Sequence, residues 1–226
     1  MTFTTGYNTD IAIHKVKIVY KTYTKNGNPE DPLFIFAHGA GADSQSQFMT
    51  DMAERIAAFG VYVVRFDFPY MEKRREDGKK RPPDRGPKLI DDWQTVISDL
   101  DRPCVIGGKS MGGRIASIVA MAEDQSGLVK GCACLGYPFH PAGKPEKQRT
   151  EHLMKIGKPL LIVQGFRDTM GTFNDVSSYG IDREIEFEWL EDGNHDLKPR
   201  RVSGFTHEQH LQKTAERVAK FVKANQ

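Results

Sequence analysis

The chain has 226 residues, enough for one α/β domain with a full hydrophobic core. Its 32 basic and 30 acidic side chains leave a formal net charge of +2, which gives no electrostatic case for nucleic acid or an anionic membrane as a partner. Hydrophobic content is 38%, and no apolar run approaches the roughly 18 residues of a membrane span.

Residues 1–10 are polar and lack the apolar stretch of a secretory signal, so none is expected. The cysteines are Cys104, Cys132 and Cys134, all within expected strands. An odd count placed this way points to buried reduced thiols and a cytoplasmic protein. Cys132 and Cys134 flank one residue and share a strand face. With no histidine or second pair at ligand spacing, no metal site is expected.

In chain order, Val16–Lys21 alternates apolar and polar residues, as a half-exposed strand does. Asn26-Gly27-Asn28-Pro29 is turn chemistry. Leu33–Ala37 is a continuous apolar run, the mark of a central parallel strand, and it leads into His38-Gly39-Ala40-Gly41-Ala42. Gln47–Phe59 carries Phe48, Met52, Ile56 and Phe59 at helical spacing and is closed by Gly60. Val61–Phe66 is the next buried strand. Asp67–Pro87 is polar and reads as irregular. Leu89–Leu100 is helical, with Leu89, Trp93, Val96, Ile97 and Leu100 on one side.

A strand ending at Lys109 is followed by a helix over Met111–Glu123. Val129–Leu135 is a further strand, broken by Gly136-Tyr137-Pro138. A short helix is expected over Thr150–Ile156, before the strand Leu160–Gln164. Glu184–Leu190 sets Ile185, Phe187 and Trp189 against glutamates, which suits a strand near a sheet edge. Thr206–Ala224 is an amphipathic helix with Leu211, Val218, Phe221 and Val222 inward. Strands that alternate with helices and are apolar throughout predict a mostly parallel, doubly wound α/β sheet with helices on both faces. No linker or repeat divides the chain, so residues 1–226 are expected to form a single domain.

Between the central strand and its helix lies Gly108-Lys109-Ser110-Met111-Gly112, which fits G-x-S-x-G, the nucleophile elbow. The chain must turn from strand to helix within about four residues, which strains the serine backbone. Glycines two before and two after leave room where a Cβ would clash. The hydroxyl then stands at a helix N-terminus, where the dipole and free N–H groups favour developing negative charge. Gly108-Lys109-Ser110 also resembles the end of a phosphate-binding P-loop. That motif needs a glycine where Pro103 stands, and the preceding residues are a strand.

Ligands of a doubly wound sheet bind at the carboxyl ends of the strands. The strand Leu160–Gln164 leads into Gly165-Phe166-Arg167-Asp168, and Glu184–Leu190 leads into Gly193-Asn194-His195-Asp196. Ser110, Asp168 and His195 therefore emerge on one rim in the order Ser, Asp, His. A serine hydroxyl is a poor nucleophile at neutral pH and needs a base. His195 is the candidate base, and Asp168 the residue that orients it. Asp175 and Asp182 compete for that role but lie farther from the strand end. Backbone N–H groups of Met111 and of the His38–Gly41 loop, at Ala40, are the candidate oxyanion donors. His38 itself is read as structural.

These segments resemble the small α/β-hydrolases of the dienelactone hydrolase-like, KANL3/Tex30-like group. The resemblance runs from about Leu33 to Pro199. Its carriers are Ala37–Ala42, Arg65-Phe66-Asp67-Phe68-Pro69-Tyr70, Gly107–Arg114, Gly136-Tyr137-Pro138, Gln164–Asp168 and Asn194–Pro199. It implies the α/β-hydrolase fold and a triad at Ser110, Asp168 and His195. Lysine before the serine is a feature of the group, and Lys109 takes no assigned role. Proteins nearer to dienelactone hydrolase use a cysteine nucleophile where this chain has Ser110. Some relatives look like subunits of chromatin complexes, so a non-catalytic binding or scaffold protein on this fold is the competing reading.

The gap from Gly136 to Pro159 has room for one short helix and for no large cap domain. An open, shallow site for a small ester or thioester is expected, acting by a Ser-His-Asp triad without cofactor or metal. Transfer to an acceptor other than water stays open. Lys73–Arg81 holds six basic and two acidic residues and leaves the carboxyl end of a strand. Its ordinary role is a solvated loop. Arg74, Arg75 or Arg85 would otherwise bind a substrate carboxylate or phosphate. The acyl group, leaving group and oligomeric state are not readable from the sequence.

Overall fold

The structure is a computed structural model and describes residues 21–122 and 126–226. Among the described residues there are seven strands: β1 (Tyr23–Asn26), β2 (Leu33–Ala37), β3 (Tyr62–Phe66), β4 (Cys104–Lys109), β5 (Val129–Leu135), β6 (Leu160–Gly165) and β7 (Glu186–Leu190). They form one sheet in the order β1-β3-β2-β4-β5-β6-β7. β1 runs antiparallel to β3, and the other pairings are parallel. The helices are α1 (Gln47–Ala58), α2 (Pro69–Asp77), α3 (Gly86–Leu100), α4 (Met111–Met121), α5 (Phe173–Ser177) and α6 (His207–Ala224). The strand expected over Val16–Lys21 lies outside the described residues, apart from Lys21.

Strand side chains alternate between faces, so one continuous apolar run feeds two cores. Leu33, Ile35, Val64, Ile106 and Cys132 face α3 and α4, where Trp93, Val96, Ile115 and Ala116 cover them. Phe34, Phe36, Val63, Val105 and Leu161 face α1 and α6, which contribute Met52, Ile56, Val218 and Phe221. The sheet is therefore doubly wound, as its apolar strands predict. β7 is the edge: Glu186 and Glu188 pair with Arg217 and Lys213 of α6. Phe187 and Trp189 stack at 5.3 Å and pack against the first core.

The chain leaves β2 for β3 on one side and returns to β4 on the other. The strand order thus reverses between β2 and β4, whose registered ends are Ala37 and Gly108. Such a switch point opens a crevice at the carboxyl ends of the two strands. The loops after β2 and β4 both lie there.

Three local readings are corrected. Residues 69–77, read as irregular, form α2, with Pro69 at its first turn and Gly78 closing it at φ 71°. It lacks an apolar stripe because only Tyr70 and Met71 are buried, so its polar pattern hid it. The helix expected over Thr150–Ile156 is a single 3₁₀ turn at Glu151–Leu153. α5 was not anticipated; a capping box between Thr172 and Asp175 starts it. Between β5 and β6 there is no cap domain.

Candidate active site

Ser110 caps α4 at φ 53° and ψ −118°, in a region where a residue with a side chain is rarely found. Two glycines make that turn possible. A Cβ on Gly108 would lie 2.6 Å from Ala37 O, and one on Gly112 2.4 Å from His38 O. The elbow is thus pressed against the end of β2, which brings Ser110 beside the His38–Ala42 loop.

His195 follows β7. Its Nε2 lies 2.8 Å from Ser110 Oγ, and its Nδ1 lies 2.7 Å from Asp168 Oδ2. A carboxylate only accepts, so Nδ1–H donates to Asp168 and Nε2 is left to accept from the serine hydroxyl. Asp168 is fully buried. Its Oδ1 accepts from Met170 N–H at 2.8 Å, and its Oδ2 also accepts from Gln164 Nε2 at 2.9 Å. Gln164 is buried at the end of β6, where its Oε1 accepts from Tyr137 N–H at 2.7 Å. The sequence reading missed it; a glutamine closing an apolar strand was its only signal. Of the competing acids, Asp175 is spent in the α5 capping box, and Asp182 accepts from Ile156 and Glu184 N–H groups.

The loop that carries His195 is tightly held. Asn194 Oδ1 accepts from the N–H groups of Asp196 and Lys198, both at 2.9 Å. Lys109 Nζ donates to His195 O at 2.7 Å and lies 3.5 Å from Asp196 Oδ1. The same ammonium sits 5.6 Å from the Phe48 ring centroid. Burial pulls Lys109 below the usual lysine range, while the Asp196 and Asp168 carboxylates oppose that shift. The lysine of the elbow thus holds the backbone of the histidine.

Met111 is the first residue of α4, so its N–H is one of those a helix leaves without an internal acceptor. Met111 and Ala40 both line a cleft of about 340 Å³ that opens on Ser110. Tyr70 Oη donates to Ala40 O at 3.1 Å and steadies that loop. His38 is fully buried and holds the loop from the other side. Its Nδ1–H donates to Gly39 O at 2.6 Å, and its Nε2 accepts from Phe68 N–H at 3.1 Å. Burial lowers its pKa below the ordinary histidine value.

Arg74, Arg75 and Arg85 are not among the residues lining that cleft. Arg74 donates to Gly41 O at 2.9 Å and Arg75 to Asp67 Oδ2 at 2.7 Å. Arg85 is exposed at the N-cap of α3. The arginines that do line the cleft are Arg114 and Arg149. A larger cavity of about 540 Å³ lies between α3 and the C-terminal end of α4, at the opposite end of the sheet, and shares no residue with the triad.

Comparison with known proteins places the fold. The chain belongs to the alpha/beta hydrolase domain family, whose model matches residues 30–223. An alpha-beta serine hydrolase homologue from Coxiella burnetii is similar, with a TM-score of 0.61 at 18% identity over 90% of this chain and 89% of that one. Est1E from Butyrivibrio proteoclasticus, solved with ferulic acid bound, gives 0.65 at 17% identity, covering 90% and 94%. A monoacylglycerol lipase from Paleococcus ferrophilus gives 0.66 at 12% identity, covering 92% and 100%. At these identities the likeness is one of fold.

Proposed function

We propose that this protein is a serine hydrolase that cleaves a small ester or thioester through an acyl-enzyme on Ser110. The observation that carries this is the His195 ring, which spans Ser110 Oγ at 2.8 Å and Asp168 Oδ2 at 2.7 Å. Ser110 Oγ attacks the carbonyl carbon as His195 Nε2 takes its proton. The oxyanion accepts from the N–H groups of Met111 and Ala40, each of which is worth roughly 3 kcal/mol of barrier. The tetrahedral adduct collapses, and His195 returns the proton to the leaving alcohol or thiol. Water then attacks the acyl-enzyme with His195 again as base, which releases the acid and restores Ser110. Asp168 keeps the imidazole in the required tautomer. No step calls for a metal or cofactor. Lys109 in the elbow supports kinship with the dienelactone hydrolase-like, KANL3/Tex30-like group within the family. Among the described residues no helix is long and apolar enough to cross a membrane.

A fluorophosphonate probe tests this. Wild-type protein should label stoichiometrically, Ser110→Ala should not label, and kcat on p-nitrophenyl esters should fall by about 10³-fold or more in that variant. Labelling that survives Ser110→Ala, or its absence from the wild type, points instead to a non-catalytic scaffold on this fold.

A further inference from the structure

We propose that Arg114 and Arg149 form an anion subsite beside Ser110, so that the substrate carries a carboxylate or phosphate a short chain away from its scissile carbonyl. The inference rests on the serine-hydrolase reading for what happens at Ser110, and on its own observations for the charge.

Both arginines line the same cleft as Ser110, Met111 and Ala40. Neither guanidinium makes a hydrogen bond or ion pair among the described residues. They are exceptions: every other arginine that is not fully exposed donates to an oxygen. Two half-buried cations without partners in one cleft are costly, and an anion between them offsets the cost. Burial, and then the Arg114 charge, pulls the Arg149 pKa down. Among the described residues no acid fills the role. Asp84 is the one carboxylate lining the cleft, and it pairs with Lys88 at 3.0 Å. His152 adds neither charge nor counter-charge near neutral pH, because burial and Arg114 hold its pKa at about 4.

The backbones of both residues are fixed while their side chains are free. Arg114 N–H donates to Ser110 O at 3.0 Å, and Arg114 O accepts from Ser117 Oγ at 2.8 Å. Arg149 O accepts from Tyr137 Oη at 2.8 Å, and its N–H donates to Phe139 O at 2.7 Å. Arg114 stands four residues beyond Ser110, a rise of about 6 Å along α4. Arg114 and Ser110 therefore share one end of α4 and one cleft, a short chain's reach apart. Pro83, Leu89, Pro138 and Met170 give the chain between them an apolar wall. The basic run at 73–81 is bypassed: its arginines are tied to Gly41, Asp67 and Asp77.

The test pairs binding with turnover at constant ionic strength. Calorimetry with free adipate and with inorganic phosphate separates a carboxylate from a phosphate preference. At least one should bind wild type and Ser110→Ala alike, and should bind the Arg114→Gln/Arg149→Gln double variant about tenfold more weakly or worse. Mono-p-nitrophenyl adipate and p-nitrophenyl hexanoate then differ only in the terminal carboxylate. If carboxylate is the preferred anion, the ratio of their kcat/KM values should fall at least about tenfold in the double variant, with its fold checked by thermal melting. Failure of both anions to bind, or equal binding by wild type and a folded double variant, overturns the subsite. Binding that is lost in the double variant, without Ser110-dependent turnover of any ester, upholds the subsite and instead sinks the hydrolase reading.

Discussion

At the scale of single residues, Lys109 shows what position alone does not reveal. It precedes Ser110 in the chain but is not among the residues lining the cleft, and its ammonium donates to His195 O at 2.7 Å. A hydrogen bond from a charged group is typically worth about 1.5–3 kcal/mol. Lys109→Met should therefore lower kcat about tenfold to a hundredfold and leave KM nearly unchanged, as steady-state kinetics on a neutral ester would reveal. An equal loss in both parameters would mean that Lys109 meets the substrate instead. The meeting of Ser110, Asp168 and His195 was legible in the sequence because each follows the carboxyl end of a strand on one rim of the sheet. The tie of Lys109 was not, because Lys109 and His195 stand 86 residues apart, nor was the cleft that gathers Arg114 and Arg149 from separate segments.

At the scale of elements, the strand–turn–helix of β4 and α4 depends on close backbone approach. A Cβ on Gly112 would meet His38 O at 2.4 Å and Ala37 O at 2.7 Å, and neither backbone atom can move aside cheaply. Gly112→Ala should cost about 3 kcal/mol or more, lowering Tm by roughly 10 °C or abolishing soluble expression. Gly41→Ala, where a Cβ meets nothing within 4 Å, should leave Tm almost unchanged in the same melting experiment. α2 makes the converse point. No stripe announces it, yet the Arg75–Asp67 pair at 2.7 Å and the Arg74 bond to Gly41 O at 2.9 Å fasten it beside the site. Its helical state is held largely by tertiary ties.

At the scale of the whole molecule, buried histidines tie stability to pH. His152 has a pKa of about 4 against an ordinary 6.5, chiefly because it is buried, and Arg114 adds to the shift. His38 is also lowered by burial. In the interval below pH 6.5 the unfolded chain binds more protons than the folded one, so stability is full above that value and declines as pH falls. For His152 the decline levels off near pH 4. Asp67 extends it to stronger acid. Burial alone would raise its pKa, but the Ser44 N–H and the Arg75 guanidinium outweigh burial and bring it below 3.8. Thermal melts at fixed ionic strength should show Tm dropping between pH 6.5 and 4, and less steeply in His152→Gln. An unchanged slope in that variant would remove His152 from the account.

The sequence by itself determined the class of fold and the rim of the sheet on which Ser110, Asp168 and His195 meet. Strands that are apolar throughout need a layer of helices on each face, and a serine between paired glycines after such a strand marks a tight strand-to-helix turn. Tertiary structure alone decided how the site is supported and what charge it faces. The hold of Lys109 on His195, the bond from Tyr137 N–H to Gln164 and the shared cleft of Arg114 and Arg149 join distant segments. Which cations keep free guanidinium groups is set by which acids fold beside them: Asp67 pairs with Arg75 and Asp77 with Arg81, and among the described residues no acid pairs with Arg114 or Arg149.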